Sequence, residues 1–141
     1  MEIEESRIMG LDFGIKRIGV ALSDPLKTFA YPHSTIQNDD KKNIQLEKII
    51  KEKSVIKIIL GIPNEVKKSK TSIYDEVIKF RDELTKYFNI EVLLWDETYT
   101  SVIAERKILE SVSRKKKRQN KSLIDMNSAA IILQEYLDSI T

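Results

Sequence analysis

The sequence predicts a mixed five-stranded α/β sheet covered by helices on both faces. Three observations predict it. Two apolar runs, 8–13 and 17–23, are separated by a short turn around Gly14, as in an antiparallel hairpin. Later apolar runs alternate with helix-period segments, the pattern of a parallel βαβ portion. The chain has 141 residues, 41% hydrophobic and 33% charged, enough for one ordinary domain over 1–141 with a full core.

In chain order, Gly14 is expected at the positive-φ position of the hairpin turn, with Lys16 and Arg17 at its tip. Pro25 closes the second strand, because it cannot donate to a ladder. A third strand is expected over Phe29–Ile36, with Pro32 marking it as an edge. Asn38-Asp39-Asp40 signals a turn and a helix start, and Leu46, Ile49 and Ile50 give the following helix, Asn43–Lys53, an apolar stripe. Val55–Leu60 is rich in β-branched residues and reads as a buried strand stopped by Gly61-Ile62-Pro63.

Ile73, Val77, Phe80, Leu84 and Tyr87 recur at spacings of 4, 3, 4 and 3, one face of a helix. Ser72 and Asp75 offer a capping box at its start, and Asn89 a stop. Ile90–Trp95 reads as another buried strand, ending in Asp96-Glu97. Two helices complete the order, Ser101–Val112 and Ser122–Leu137; in the second, Ala129 and Ala130 permit close approach to the sheet. Between them lies a basic loop, about 113–121, where Arg114, Lys115, Lys116, Lys117, Arg118 and Lys121 place six positive charges in eight residues. Such a cluster suits phosphate backbones, or is a solvated loop of a lysine-rich chain. Net charge is only +2. With no cysteine there is neither a disulfide framework nor a thiolate metal site. The acidic start Met1-Glu2-Ile3-Glu4-Glu5 lacks a signal-peptide core, and no run is long enough to span a membrane, so a cytoplasmic protein is expected.

Three acids fall at comparable places. Asp12 ends the first strand, Glu97 ends the fifth, and Asp125 shares a helical stripe with Ala129, Ile132 and Tyr136. Ligand sites in α/β sheets gather at strand ends. If the last helix crosses those ends, the three carboxylates converge, and their mutual repulsion calls for a cation. Mg²⁺ or Mn²⁺ suits oxygen ligands, and paired ions can promote phosphodiester hydrolysis without cysteine or histidine. Each acid also has a plainer role open to it. Asp12 could pair with Lys16 or Arg17, Glu97 could face a helix dipole, and Asp125 could cap Ser122 in Ser122-Leu123-Ile124-Asp125. His33, the single histidine, reads as a filler on the edge strand; Trp95 reads as core and Tyr99 as the better site contact.

The ordered set Gly10-Leu11-Asp12-Phe13-Gly14-Ile15-Lys16-Arg17-Ile18-Gly19-Val20-Ala21, Ser23-Asp24-Pro25, Gly61-Ile62-Pro63, Asp96-Glu97 and Lys121 through Leu137 resembles the YqgF (RuvX) family over nearly the whole chain. These are proposed pre-16S rRNA nucleases related to Holliday-junction resolvases. The resemblance implies an RNase H-like fold, with strands 1–3 antiparallel and strands 1, 4 and 5 parallel. It implies a divalent-metal nuclease whose acids match Asp12, Glu97 and Asp125, acting in 16S rRNA 5′-end maturation in the bacterial cytoplasm.

Expected partners are structured RNA or branched DNA, and ribosomal precursor particles, bound by a monomer or homodimer through Lys16, Arg17 and the basic loop. Two departures stand out: Thr98 replaces the family's usual Arg after the strand-end Glu, and residues 64–68 lack its Asp-Gly turn. Both suit a non-catalytic nucleic-acid-binding or ribosome-assembly module as the alternative. Asp12-Phe13-Gly14 also resembles the phosphate-binding start of actin-like ATPases, but those enclose ATP between two domains, and no Walker glycine loop is present.

Overall fold

Alternation of side chains along each strand determines which residues meet which helix. A computed structural model describes residues 5–62, 73–97 and 117–141; for 117–121 it describes backbone alone. The strands are β1 (Arg7–Phe13), β2 (Arg17–Ser23), β3 (Ala30–Gln37), β4 (Val55–Ile62) and β5 (Glu91–Asp96). The helices among the described residues are α1 (Lys42–Lys53), α2 (Ile73–Phe88) and α3 (Lys117–Ser139). Strand order is β3-β2-β1-β4-β5. The pairs β1–β2 and β2–β3 are antiparallel, whereas β1–β4 and β4–β5 are parallel, as the sequence predicts.

Each face of the sheet carries its own core. Met9, Leu11, Ile18, Val20, Leu22, Ile58, Leu60 and Ile62 pack with Leu46, Ile49 and Ile50 of α1 and with Val77, Phe80 and Leu84 of α2. The residues between them, Ile8, Ala21 and Ile59, pack with Ala129, Ile132, Leu133, Tyr136 and Leu137 of α3. The expected stripe on the last helix is therefore real, and its small residues do bring it close: a Cβ on Gly10 would lie 2.8 Å from the Ala129 carbonyl oxygen. No helix among the described residues is long and apolar enough to cross a membrane.

Several expectations are corrected. Gly14 does not have positive φ; a side chain there would collide with the Arg17 carbonyl oxygen, 2.6 Å from its Cβ, so the turn needs glycine for space. Gly61 does not end β4 but lies inside it, paired with Trp95, because β5 continues the parallel ladder past Leu60. As an edge strand, β5 is half-buried rather than buried. Tyr87 is exposed, and in the last turn of α2 it is the neighbouring Phe88 that packs against the core.

The largest correction concerns α3, which is already helical at Lys117, ahead of Ser122. Lys117, Arg118 and Lys121 are thus on the helix rather than in a loop, as lysine and arginine readily permit. Ser122 lies inside the helix and cannot be its N-cap, and its carbonyl accepts a hydrogen bond from Thr35 Oγ1 (2.7 Å). Asn89 does stop α2, with φ 53° and its N–H donated to the Thr85 carbonyl. The expected Ser101–Val112 helix, residues 64–68, Pro63, Ser72, Thr98, Tyr99, Arg114, Lys115 and Lys116 lie outside the described residues.

Candidate active site

Asp12 lies on the α3 face of the sheet. It shares parity with Ile8 of the α3 core, whereas Met9 and Leu11 face α1 and α2. It is 5% exposed, an expensive place for a carboxylate without compensating charge or hydrogen bonds. On one side its cross-strand partner is Gly19. On the other, one step beyond the Leu11–Leu60 pair, it comes alongside Gly61. Glycines flank the acid on both neighbouring strands, and each clears space for another acid.

At Gly19 the clearance is for α3 itself. A Cβ there would lie 1.9 Å from the Asp125 carbonyl oxygen and 3.0 Å from the Met126 nitrogen. Gly19 lets the helix backbone rest on β2 at Asp125, in the row of the sheet that contains Asp12. Thr35, the neighbour of Gly19 on β3, holds the same stretch of α3 through the Ser122 carbonyl. At Gly61 the clearance is for Glu97: a Cβ would lie 3.1 Å from Glu97 Oε1 and 2.5 Å from Ile132 Cδ1. Glu97 is half-buried, with Oε1 closed off from solvent. Its N–H donates to the Ile62 carbonyl (2.9 Å), extending the β4–β5 ladder and fixing the carboxylate over the end of β4.

Asp12, Glu97 and Asp125 are thus gathered on one sheet face, at the carboxyl ends of the parallel strands, as ligand sites in such sheets are. Their donors are hard carboxylate oxygens, which suit Mg²⁺ or Mn²⁺, and the two glycines keep side-chain bulk out of the space between them. The three are not drawn up around a common point. Among the described residues no three acidic, histidine or cysteine side chains stand close enough to hold an ion. Asp125 Oδ2 instead accepts a 2.7 Å hydrogen bond from Arg17 Nε. That ion pair was not anticipated: the sequence offered Arg17 to Asp12 or to phosphate. With Ser122 inside the helix, Asp125 has no capping role there, and Arg17 is the partner that competes for its carboxylate.

The remaining candidates are dispersed. Lys16 is exposed at the hairpin tip, which is tied to the end of β3 by Asn38 Nδ2 donating to the Gly14 carbonyl (2.8 Å). His33 lies on the edge strand β3, at its Pro32 irregularity, with Nδ1 2.9 Å from Ser34 Oγ. Burial and then the Lys53 charge hold its pKa below the ordinary value, so it is neutral near pH 7. Trp95 packs edge-on against Tyr136 in the α3 core. Sequence reasoning passed over Gly19, Gly61 and Thr35. Glycine inside a strand pattern is itself a signal of close backbone approach and could have found the first two.

A sequence profile described as "RuvX: Holliday junction resolvase" matches residues 6–139. Similar relatives include a Clostridioides difficile (strain 630) protein, 44% identical over 137 residues and covering 95% of each chain. Another is from Caldanaerobacter subterraneus subsp. tengcongensis, 41% identical over 137 residues, covering 94% of this chain and 96% of its own. Both carry the name "Putative pre-16S rRNA nuclease". Among solved structures the chain is similar to T. thermophilus RuvC in complex with a Holliday junction substrate (TM-score 0.59, 10% identity, 96% and 95% of the two chains). It is also similar to the Fowlpox virus resolvase with its substrate Holliday junction DNA (TM-score 0.56, 16% identity, 95% and 98%). At such identities the likeness is one of fold, the RNase H-like architecture of the resolvases.

Proposed function

Because the chain belongs to the RuvX family, we propose that it is a divalent-metal-dependent nuclease that hydrolyses phosphodiester bonds in processing the 5′ end of pre-16S rRNA. The observation that carries this reading is the placement of Asp12, Glu97 and Asp125 on one sheet face, with glycines on both strands beside Asp12. Asp12, Glu97 and Asp125 would hold the Mg²⁺ or Mn²⁺ ions. When bound, such ions activate water and stabilise the leaving oxygen in phosphodiester hydrolysis.

The chain's own residues supply the geometry. Asp12 is fixed by the central strand, Glu97 by its backbone bond to Ile62, and Asp125 by the seating of α3 on Gly19. Lys16 and Arg17 at the hairpin, with Arg114, Lys115, Lys116, Lys117, Arg118 and Lys121, would hold phosphates along the substrate. Binding should then weaken steeply with salt. We read residues 1–141 as one nuclease domain acting in the cytoplasm on structured RNA.

Branched DNA is the second substrate to test, since the family profile is described by Holliday junction resolution. The experiment compares Mn²⁺-dependent cleavage of a pre-16S rRNA fragment and of a four-way DNA junction by wild type and Asp12→Asn. Cleavage that needs Mn²⁺ and is lost in the variant supports the reading, and the preferred substrate identifies its target. Equal rates in the two proteins would overturn it. Binding without turnover, unaffected by Asp12→Asn, would assign a non-catalytic module instead.

A further inference from the structure

We propose that Arg17 is a positioning residue that holds Asp125 out of the metal-ligating arrangement until a nucleic-acid phosphate takes its guanidinium. The inference rests on the reading of Asp12, Glu97 and Asp125 as the hydrolytic site.

The ion pair is built rather than incidental. Arg17 Nε and Asp125 Oδ2 are 2.7 Å apart, with side chains only 27% and 19% exposed. Partial desolvation makes such a charge-assisted bond stronger than a surface pair. The direction in which it pulls Asp125 matters more. The Asp125 backbone rests over Gly19, directly across from Asp12. Arg17 is two residues back along β2, about 6–7 Å nearer the hairpin tip. The Asp125 carboxylate is therefore engaged by a β2 side chain, and among the described residues it does not join Asp12 and Glu97 in a group close enough to hold an ion.

Releasing it requires no movement of the helix. Thr35 holds the Ser122 carbonyl, and Gly19 seats the backbone at Asp125, so only the side chain has to turn. The residue that restrains it is suited to a different partner. A guanidinium presents a planar fork of donors that matches a phosphate, and Arg17 stands beside exposed Lys16 at the tip. A phosphate drawn to that tip competes with Asp125 for Arg17, while a divalent cation competes with Arg17 for Asp125. Each ligand removes the other's competitor, so cation and polyphosphate binding are positively coupled. The cation site is then completed chiefly when substrate is present.

The test uses two binding measurements, neither of which requires turnover. Mn²⁺ affinity is read from the electron paramagnetic resonance signal of free Mn²⁺. The proteins are wild type, Arg17→Gln, Asp125→Asn and the double variant, with Lys16→Gln as a control for simple loss of charge. Arg17→Gln should bind Mn²⁺ about fivefold more tightly than wild type, the scale of a part-buried ion pair. Lys16→Gln should change it by less than about twofold, and in the Asp125→Asn background Arg17→Gln should do no more than Lys16→Gln.

The second measurement is the affinity for a fluorescein-labelled RNA hairpin in EDTA. Asp125→Asn should bind it about threefold more tightly, and that gain should vanish in the Arg17→Gln background. Arg17→Lys, which keeps the charge, should fall between wild type and Arg17→Gln, and serves if the glutamine variant melts early. Additive effects in both cycles would overturn the proposal. If Asp12→Asn weakens Mn²⁺ binding while Arg17→Gln and Arg17→Lys match wild type, the latch fails and the metal site stands. If Asp12→Asn also leaves Mn²⁺ affinity unchanged, both fail.

Discussion

A single methyl group on Gly19 should disable the site from a residue with no chemistry of its own. In Gly19→Ala the new Cβ would lie 1.9 Å from the Asp125 carbonyl oxygen and 2.3 Å from its carbonyl carbon. To reach even 3.0 Å, the lower bound for real Cβ contacts, helix and strand must separate by about 1 Å. Both partners are backbone, so no rotamer change relieves the clash. Overpacking of a core contact costs about 1–3 kcal/mol, and a backbone collision belongs at the upper end. For a domain of this size about 3 kcal/mol lowers Tm by roughly 10 °C. Activity should fall further than stability explains, because a 1 Å misplacement of a catalytic group can cost about 100-fold in rate. The assay pairs a circular dichroism melt with Mn²⁺-dependent cleavage measured well below the variant's Tm. A variant that melts with wild type and cleaves at the wild-type rate would refute the seating of α3 on Gly19.

Gly61→Ala should separate the two effects. Its Cβ meets the flexible Ile132 Cδ1 at 2.5 Å and Glu97 Oε1 at 3.1 Å, so the fold should lose less than about 1.5 kcal/mol while cleavage drops about tenfold or more. Urea unfolding and cleavage on the same protein check this. Tyr136→Phe removes the oxygen that accepts the 2.8 Å bond from Lys57 Nζ, the main reason that the Lys57 pKa is raised. The expected cost is about 1 kcal/mol, read from the urea midpoint, with Mn²⁺ affinity unchanged. Asp24 accepts backbone N–H bonds from Phe29 (2.8 Å), Thr28 (2.8 Å) and Leu26 (3.2 Å), and the Phe29 bond leads in holding its pKa below the ordinary 3.8. Since the folded value lies below the unfolded one, its contribution is complete above about pH 3.8 and disappears as pH falls through the folded value. The stability gap between wild type and Asp24→Asn should therefore shrink below pH 3.8 in urea titrations.

Local patterning made most of the architecture legible. The β1–β2 hairpin, the Pro32 edge, the Asn89 stop and the α3 stripe all follow from single-element rules, and the structure agrees with each. Boundaries failed where tertiary pairing overrides a local signal. Gly61 looks like a terminator, yet the parallel ladder to β5 carries β4 through it. The charge run up to Arg118 looks like a solvated loop, yet Lys117 and Arg118 are helical. That misplaced start made Ser122-Leu123-Ile124-Asp125 resemble a capping box.

The site was legible as a set of residue types and strand ends, but its geometry was not. Strand parity puts Asp12 and Glu97 on the α3 face, which the sequence contains implicitly once register is known. The Arg17–Asp125 pair joins residues 108 positions apart, so no spacing rule could have assigned it. Only the packed helix shows which acid the arginine reaches.

Anomalous scattering from Mn²⁺-soaked crystals tests the central claim most directly. Peaks about 2.0–2.2 Å from a carboxylate oxygen of Asp12, and shared with Glu97 and with an Asp125 turned away from Arg17, are the expected result. A peak elsewhere, or none with all three carboxylates well ordered, would contradict the assignment of these acids as a hydrolytic metal site.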